Sequence, residues 1–364
     1  MADLFDNTNE MYIPEDLYES VKADYINEEF IIPPDPVKRL NIGQDRYYVT
    51  EVDGKRIMSP SVTTILKEVP QSFHLIQWQV NQGAEKSAWT LKYSAMYGTF
   101  LHIAYKDLAL GMPVNSNSFH SRLFNFCEEE AKRGLRDSDF GTNEHELTGT
   151  LLGVASEAAI YYHNILKFMK ENNRDFYKDV ISFIMFVQQY KVQFIAIEYP
   201  FVLPEYSGTI DFIVKMSYPV KGFYGEAYKT GSKKGQPKET IQEVDIIAAV
   251  DVKSGQSGFF PTHEMQLEAY KDAWERIYPK IKIDRTFNFA PANFRLPVSD
   301  NTTFFKLKDQ TGSVNGKKYK HYLAGYNMNN PQKSSIHYFD HNFDFHIETN
   351  PIESIKGFDF EGDK

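Results

Sequence analysis

Asp251-Val-Lys253 sets a carboxylate and an ammonium two residues apart at the end of an apolar run, Ile246-Ile-Ala-Ala-Val. The two-residue period of a strand turns both side chains to one face. A second carboxylate, Asp211, stands inside another β-rich run, Thr209-Ile-Asp-Phe-Ile-Val, just after Ser207-Gly208. Two carboxylates and a lysine brought together from neighbouring strands can hold Mg²⁺ or Mn²⁺ through oxygen ligands and orient water beside a phosphate. The alternative is a buried ion pair, and an Asp-x-Lys standing alone reads that way. The surroundings decide.

The elements that must position these residues follow from hydrophobic spacing. Helix-type periodicity runs over residues 61–68 and 74–110, with a break near Gly98 where a new helix can start, and again over 121–133, 151–172 and part of 180–190. Gln193-Phe-Ile-Ala-Ile-Glu-Tyr-Pro-Phe-Val and the two acid-bearing runs read as neighbouring strands. Residues 263–277 return to helical spacing, and Arg285-Thr-Phe-Asn-Phe-Ala reads as one more strand. Upstream, Tyr47-Tyr-Val-Thr-Glu-Val and Lys55-Arg-Ile-Met flank Asp53-Gly54, a tight-turn dipeptide, and predict a hairpin. The order helix, three strands, helix, strand predicts an α/β fold whose sheet is flanked by helices. Beyond residue 299 no period is visible, and an irregular C-terminal extension is expected over 299–364.

Composition bounds the rest. A chain of 364 residues with 42% hydrophobic residues can build a substantial core. Cys127 is the lone cysteine, so neither an internal disulfide nor a thiolate metal cluster is possible. Without a charged-then-apolar leader or an apolar run of membrane-spanning length, a soluble cytoplasmic protein with no membrane partner is expected. The formal charge of −9 is awkward for a nucleic-acid partner, but its position removes the difficulty: up to Asp35 there are ten acids against Lys22 alone. An acidic arm over 1–36, ending in Ile31-Ile-Pro-Pro-Asp-Pro36, therefore carries the whole net charge. The remainder is formally neutral.

Four motifs in one order resemble the PD-(D/E)XK nuclease superfamily, specifically its RecB-like exonuclease branch and phage-encoded members of it. They are Gly98-Thr-Phe-Leu-His102, Gly208-Thr-Ile-Asp211, Asp251-Val-Lys253 and Gln266-Leu-Glu-Ala-Tyr270, accompanied by the short helix Ser61-Val-Thr-Thr-Ile-Leu. The resemblance implies a restriction-endonuclease-like core, a mixed central sheet flanked by helices, over 37–298, with a large helical N-terminal part. It also implies metal-dependent hydrolysis of DNA, as an exonuclease in phage-type replication, recombination or processing. Asp211, Asp251 and the Val252 carbonyl would ligate Mg²⁺ or Mn²⁺, and Lys253 would orient the water nucleophile and stabilise charge on the phosphate. His102, a core histidine on helix spacing alone, would join the metal. Gln266 and Tyr270 share a helix face and either pack or position substrate strand and acids. Glu198 would bind a second metal or hold Lys253, or is simply a surface glutamate. The four-cysteine iron–sulfur cluster of some relatives is excluded by Cys127 standing alone.

Asp211 and Asp251 lie further apart than that resemblance implies, and a basic insertion over about 215–240 separates them. Its Lys229, Lys233, Lys234 and Lys238, interleaved with tyrosines, suit phosphate contact and base stacking, and a solvated loop would have the same composition. DNA is the expected partner, with protein partners in a replication or recombination assembly. The alternative function is a catalytically silent nucleic-acid-binding or assembly protein of the same fold.

Overall fold

The computed structural model describes residues 30–33, 37–42, 45–52, 55–112, 114, 118–138, 147–254, 258–292 and 301–330. Most of the expected acidic arm, the Asp53-Gly54 turn and the chain after 330 lie outside the described residues.

Three antiparallel strands come first: β1 (Lys38–Ile42), β2 (Asp45–Val52) and β3 (Lys55–Pro60). β2 and β3 pair from Tyr47 opposite Pro60 to Val52 opposite Lys55, the hairpin expected around Asp53-Gly54. Ser61 then caps α1 (Val62–Ile65), its hydroxyl accepting from the Thr64 N–H at 3.1 Å. The helices α2 (Phe73–Gln82), α3 (Ala84–Ala109), α4 (Phe119–Ser138), α5 (Leu147–Glu171) and α6 (Phe176–Gln189) follow. The break expected at Gly98 falls instead at Gly83, whose φ of +82° ends α2; α3 runs on through Gly98.

The second sheet has five strands in the order β4 (Gln193–Val202), β5 (Ser207–Ala227), β6 (Pro237–Val252), β7 (Arg285–Pro291) and β8 (Phe305–Asp309). Every neighbour pair is antiparallel except β6 and β7, which run parallel because α7 (Pro261–Ile277) crosses between them. The molecule is thus mixed α/β, with a mixed central sheet flanked by helices. Two corrections concern its ends. The supposedly irregular C-terminal extension supplies the edge strand β8 and the helix α8 (Tyr319–Asn329). The basic insertion is mostly a paired ribbon, β5 and β6 continuing through it out to Ala227 opposite Pro237, with a turn over 228–236 at its tip.

Strand alternation builds a core on each face of the sheet. Val250 and Val252 join Phe212, Val214, Phe287 and Phe289 beneath α3 and α6, while Ala249 and Ile213 face Leu267, Ala273 and Trp274 of α7. Burying a large side chain of this kind stabilises the fold by about 1.5–3 kcal/mol. The N-terminal sheet is fastened to this body by Ser207, whose hydroxyl donates to the Ser59 carbonyl at 2.7 Å, and by a parallel bridge between Ser61 and Ser207. Tyr47 and Tyr326 meet through their hydroxyls at 3.3 Å, tying α8 to β2. No helix among the described residues is long and apolar enough to cross a membrane.

Candidate metal and catalytic site

Asp251 is the penultimate residue of β6, on the face opposite Val250 and Val252, and it is 1% exposed. A buried carboxylate needs partners, and it has two. Lys253 Nζ lies 2.8 Å from Oδ1 and 2.7 Å from Oδ2, and the Asn288 amide donates to Oδ2 at 2.7 Å. Burial pushes the Asp251 carboxyl up, to about 6, against the pull of Lys253; the nearby Asp211 pushes it the same way. The expectation of a shared face for Asp251 and Lys253 is met by direct contact.

Lys253 also donates to Gln266 Oε1 at 3.0 Å, and Gln266 Nε2 donates to the Tyr270 hydroxyl at 2.6 Å. The four-residue spacing on α7 aligns these two side chains as a relay from the ammonium into the core. Tyr270 is buried, which together with Asp211 and Asp251 pushes its phenol far above the ordinary range, so it stays protonated. Gly208 explains its own motif: a Cβ there would stand 3.1 Å from the Phe201 ring and 3.1 Å from Tyr270 Cε1. A larger residue would require both rings to shift by a few tenths of an ångström.

Asp211 is held by its neighbour strand, the Val252 N–H donating to Oδ2 at 2.7 Å. Val252 is thus in contact with Asp211 through its amide. The other oxygen, Oδ1, faces His102 Nδ1 at 3.7 Å, and Glu198 Oε1 lies 3.4 Å from the same nitrogen. One ligand atom from each of His102, Glu198 and Asp211 falls within 4.8 Å of the others, a spacing a single cation can span. Burial raises the Asp211 carboxyl, with Glu198 adding to it, while His102, Lys253 and the Val252 N–H work against the rise. Burial works against a charged His102, but the Asp211 and Glu198 carboxylates outweigh it and lift the ring to about 9. Crowded carboxylates here hold a proton on the histidine, and a divalent cation would relieve the same repulsion.

Glu198 arrives by an unusual route. It sits inside β4 rather than at its end, between the register pairs Ile197 with Phe212 and Tyr199 with Ile210, at φ +46°. A left-handed conformation costs a non-glycine residue roughly 1–3 kcal/mol and recurs at functional sites. It aims at His102, not at Lys253. His102 comes from α3, and Gly98 one turn earlier brings that helix close to the segment after Lys253: a Cβ at Gly98 would lie 2.6 Å from Ser254 Oγ. The helix thus approaches closely at Gly98, although α3 does not begin there.

Asn288 and Gln310 were not singled out in the sequence. Both are buried; Gln310 Nε2 donates to Asn288 Oδ1 at 3.0 Å, which fixes the amide so that its Nδ2 points at Asp251. The signal was an asparagine inside Phe287-Asn-Phe289, where both neighbours are core residues. Asn288→Leu should leave Asp251 with Lys253 alone and the buried Gln310 amide without its acceptor, destabilising the fold by about 1–3 kcal/mol. Denaturant unfolding beside wild type checks this; an unchanged midpoint would show that water replaces the amide. His263 was also missed. It accepts from the Phe260 N–H through Nδ1 at 3.2 Å, and burial with the nearby Lys253 depresses it to about 3, so it stays neutral.

The four insertion lysines, Lys229, Lys233, Lys234 and Lys238, are exposed at the far end of the β5–β6 ribbon, away from this cluster. The structure therefore brings together His102, Glu198, Asp211, Asp251, Lys253, Gln266 and Tyr270, from five elements distant in sequence, and leaves the lysines apart. No protein-family model matches the chain, and no curated protein matches it.

Proposed function

We propose that the chain is a metal-dependent nuclease that hydrolyses DNA phosphodiester bonds, acting as an exonuclease of the PD-(D/E)XK type. One observation carries the reading: a nitrogen and two carboxylate oxygens converge at His102, Glu198 and Asp211, beside an ammonium, Lys253, anchored on a third carboxylate. The mixed sheet flanked by helices is compatible with the core that the motif resemblance implies. A divalent cation bound there supplies a Lewis acid that polarises a phosphoryl oxygen and favours deprotonation of water.

The chain's own residues do the remainder. Asp251 and Gln266 hold the Lys253 ammonium at one place, ready to offset negative charge growing on the phosphate. The Val252 N–H keeps Asp211 from turning away. Tyr270, protonated, accepts from the Gln266 amide and supplies no base. A histidine among the ligands favours Mn²⁺ over the harder Mg²⁺, so activity in Mn²⁺ should at least equal that in Mg²⁺.

The test is a substrate screen in both metals with linear duplex, closed circular duplex, single strands and a small phosphoester. Cleavage of linear DNA with sparing of closed circles is the expected result. Cleavage of closed circles would replace the exonuclease by an endonuclease. Turnover of the small phosphoester alone would move the activity to a small-molecule hydrolase, and binding without cleavage would leave a silent nucleic-acid-binding protein.

A further inference from the structure

Beyond Tyr218 opposite Val244, the last pair packed against the core, β5 and β6 leave the body of the sheet. From Ser217 and Asp245 outward no described side chain of either strand is buried. An isolated two-stranded ribbon buries little apolar surface and gains little stability for itself. Its tip is nevertheless a built turn. The Tyr228 N–H donates to the Gln236 carbonyl and the Gly235 N–H to the Tyr228 carbonyl, both at 3.0 Å, while Gly231 and Gly235 take φ of +84° and +88°.

Charge is sorted along this ribbon. Its base carries acids, with Glu243 accepting from Ser217 at 2.9 Å and Asp245 facing Lys215 at 3.5 Å. From Ala227 to Lys238 there is no acid, and Lys229, Lys233, Lys234 and Lys238 all stand exposed. Lys229 meets Glu226 at 3.4 Å, both 85% exposed, a pairing that water screens almost entirely. The tip is therefore a cluster of available cations.

We propose that the ribbon is an arm whose lysine tip grips double-stranded nucleic acid well away from the bond being cut, so that the protein engages a length of duplex rather than its end alone. The inference rests on the nuclease reading for its substrate. Asp211 and Ala227, two residues before Lys229, lie on one strand, and at roughly 3.3 Å per residue, shortened by twist, the tip stands up to about 50 Å from the acids. At 3.4 Å per base step that is about 15 base pairs. A two-stranded ribbon has the width the major groove admits. Bulges between Lys221 and Phe223 and between Tyr224 and Ala227 add the twist that a strand pair following a groove needs. An acidic protein would offer the lysines no such regular line of charge.

Fluorescence anisotropy in the presence of chelator, with duplexes of about 10 and about 30 base pairs, tests the arm without requiring cleavage. Wild type should bind the longer duplex at least about tenfold more tightly after correction for the number of sites. Changing Lys229, Lys233, Lys234 and Lys238 together to Gln should remove that advantage. It should also lower the slope of log affinity against log salt by about 3–4 and leave binding of the short duplex and the melting curve unchanged. An unchanged slope and length dependence in the variant would overturn the arm. So would equal binding of a single strand of the longer length, or stronger binding of poly-glutamate. Metal-dependent cleavage of the long duplex, measured separately, tells the two readings apart: cleavage with no effect of the lysines removes the arm alone, and a lysine-dependent grip without cleavage removes the nuclease alone.

Discussion

Lys253→Met is expected to lower the rate of cleavage of linear duplex by about 10²–10³-fold, the scale of removing one positioned charge from a developing oxyanion. Lys253 is 20% exposed at its side chain and Asp251 1%, so the substitution also leaves a buried carboxylate with Asn288 as its remaining partner. Removing one partner of a buried pair destabilises by about 3–5 kcal/mol, an upper bound here because Asp251, already raised to about 6, can take up a proton. Asp251→Asn is expected to abolish cleavage equally and to leave the Lys253 ammonium without its charged partner, held by Gln266. The double variant separates chemistry from architecture. With both charges gone the stability should largely return, while cleavage stays lost. Recovery of cleavage in the double variant, or full activity in Lys253→Met, would reduce the pair to an internal ion bridge. Unfolding curves and single-turnover rates on the same preparations give both readouts.

His102→Ala is expected to weaken Mn²⁺ binding by about 10–100-fold, the scale on which metal sites respond to loss of an ordering partner, with activity partly restored at high metal. The proton on His102 competes with the metal. Because Asp211 and Glu198 lift the ring from 6.5 to about 9 against its burial, metal binding to wild type below pH 9 must expel that proton, and affinity should climb with pH until then. The variant should show a flatter climb. The sign for the metal-free fold is opposite: the His102 contacts with the two acids stabilise fully below pH 6.5, and that contribution fades as pH rises through about 9. Calorimetric titration at three pH values beside a melting curve checks this. Matching metal titrations with a lowered melting temperature would make His102 a packing residue only.

Much of this site was legible because its chemistry depends on strand period and helix period, which sequence shows directly. Asp251 and Lys253 meet because residues two apart on a strand share a face, and Gln266 and Tyr270 because residues four apart share a helix face. The approach of His102 to Asp211 was legible only through motif order, since nothing local says that α3 packs at this end of the sheet. Glu198 remained ambiguous for a physical reason: its direction depends on one backbone angle, φ +46°, that glutamate does not advertise. Asn288 and Gln310 act across a parallel and an antiparallel pairing far apart in sequence, and no spacing rule links them. The helix break went to Gly83 instead of Gly98 because both glycines look alike until one is seen packed against Ser254 and the other at positive φ. The strands continuing into the ribbon were hidden by their lysines and glycines, which read as loop.

The most direct test titrates Mn²⁺ into wild type and Asp211→Asn while following both bound metal, by electron paramagnetic resonance, and cleavage of an end-labelled duplex. Asp211 is the residue where the candidate metal ligands and the strand bearing Asp251 meet, with His102 beside one oxygen and the Val252 N–H on the other. Cleavage should rise in step with bound Mn²⁺ in wild type, stop with chelator, and be absent from Asp211→Asn, which should bind the metal more weakly and keep its melting temperature. Cleavage that persists in chelator or in Asp211→Asn, or tight metal binding by wild type with no cleavage of any DNA, would contradict a metal-dependent nuclease centred on these residues.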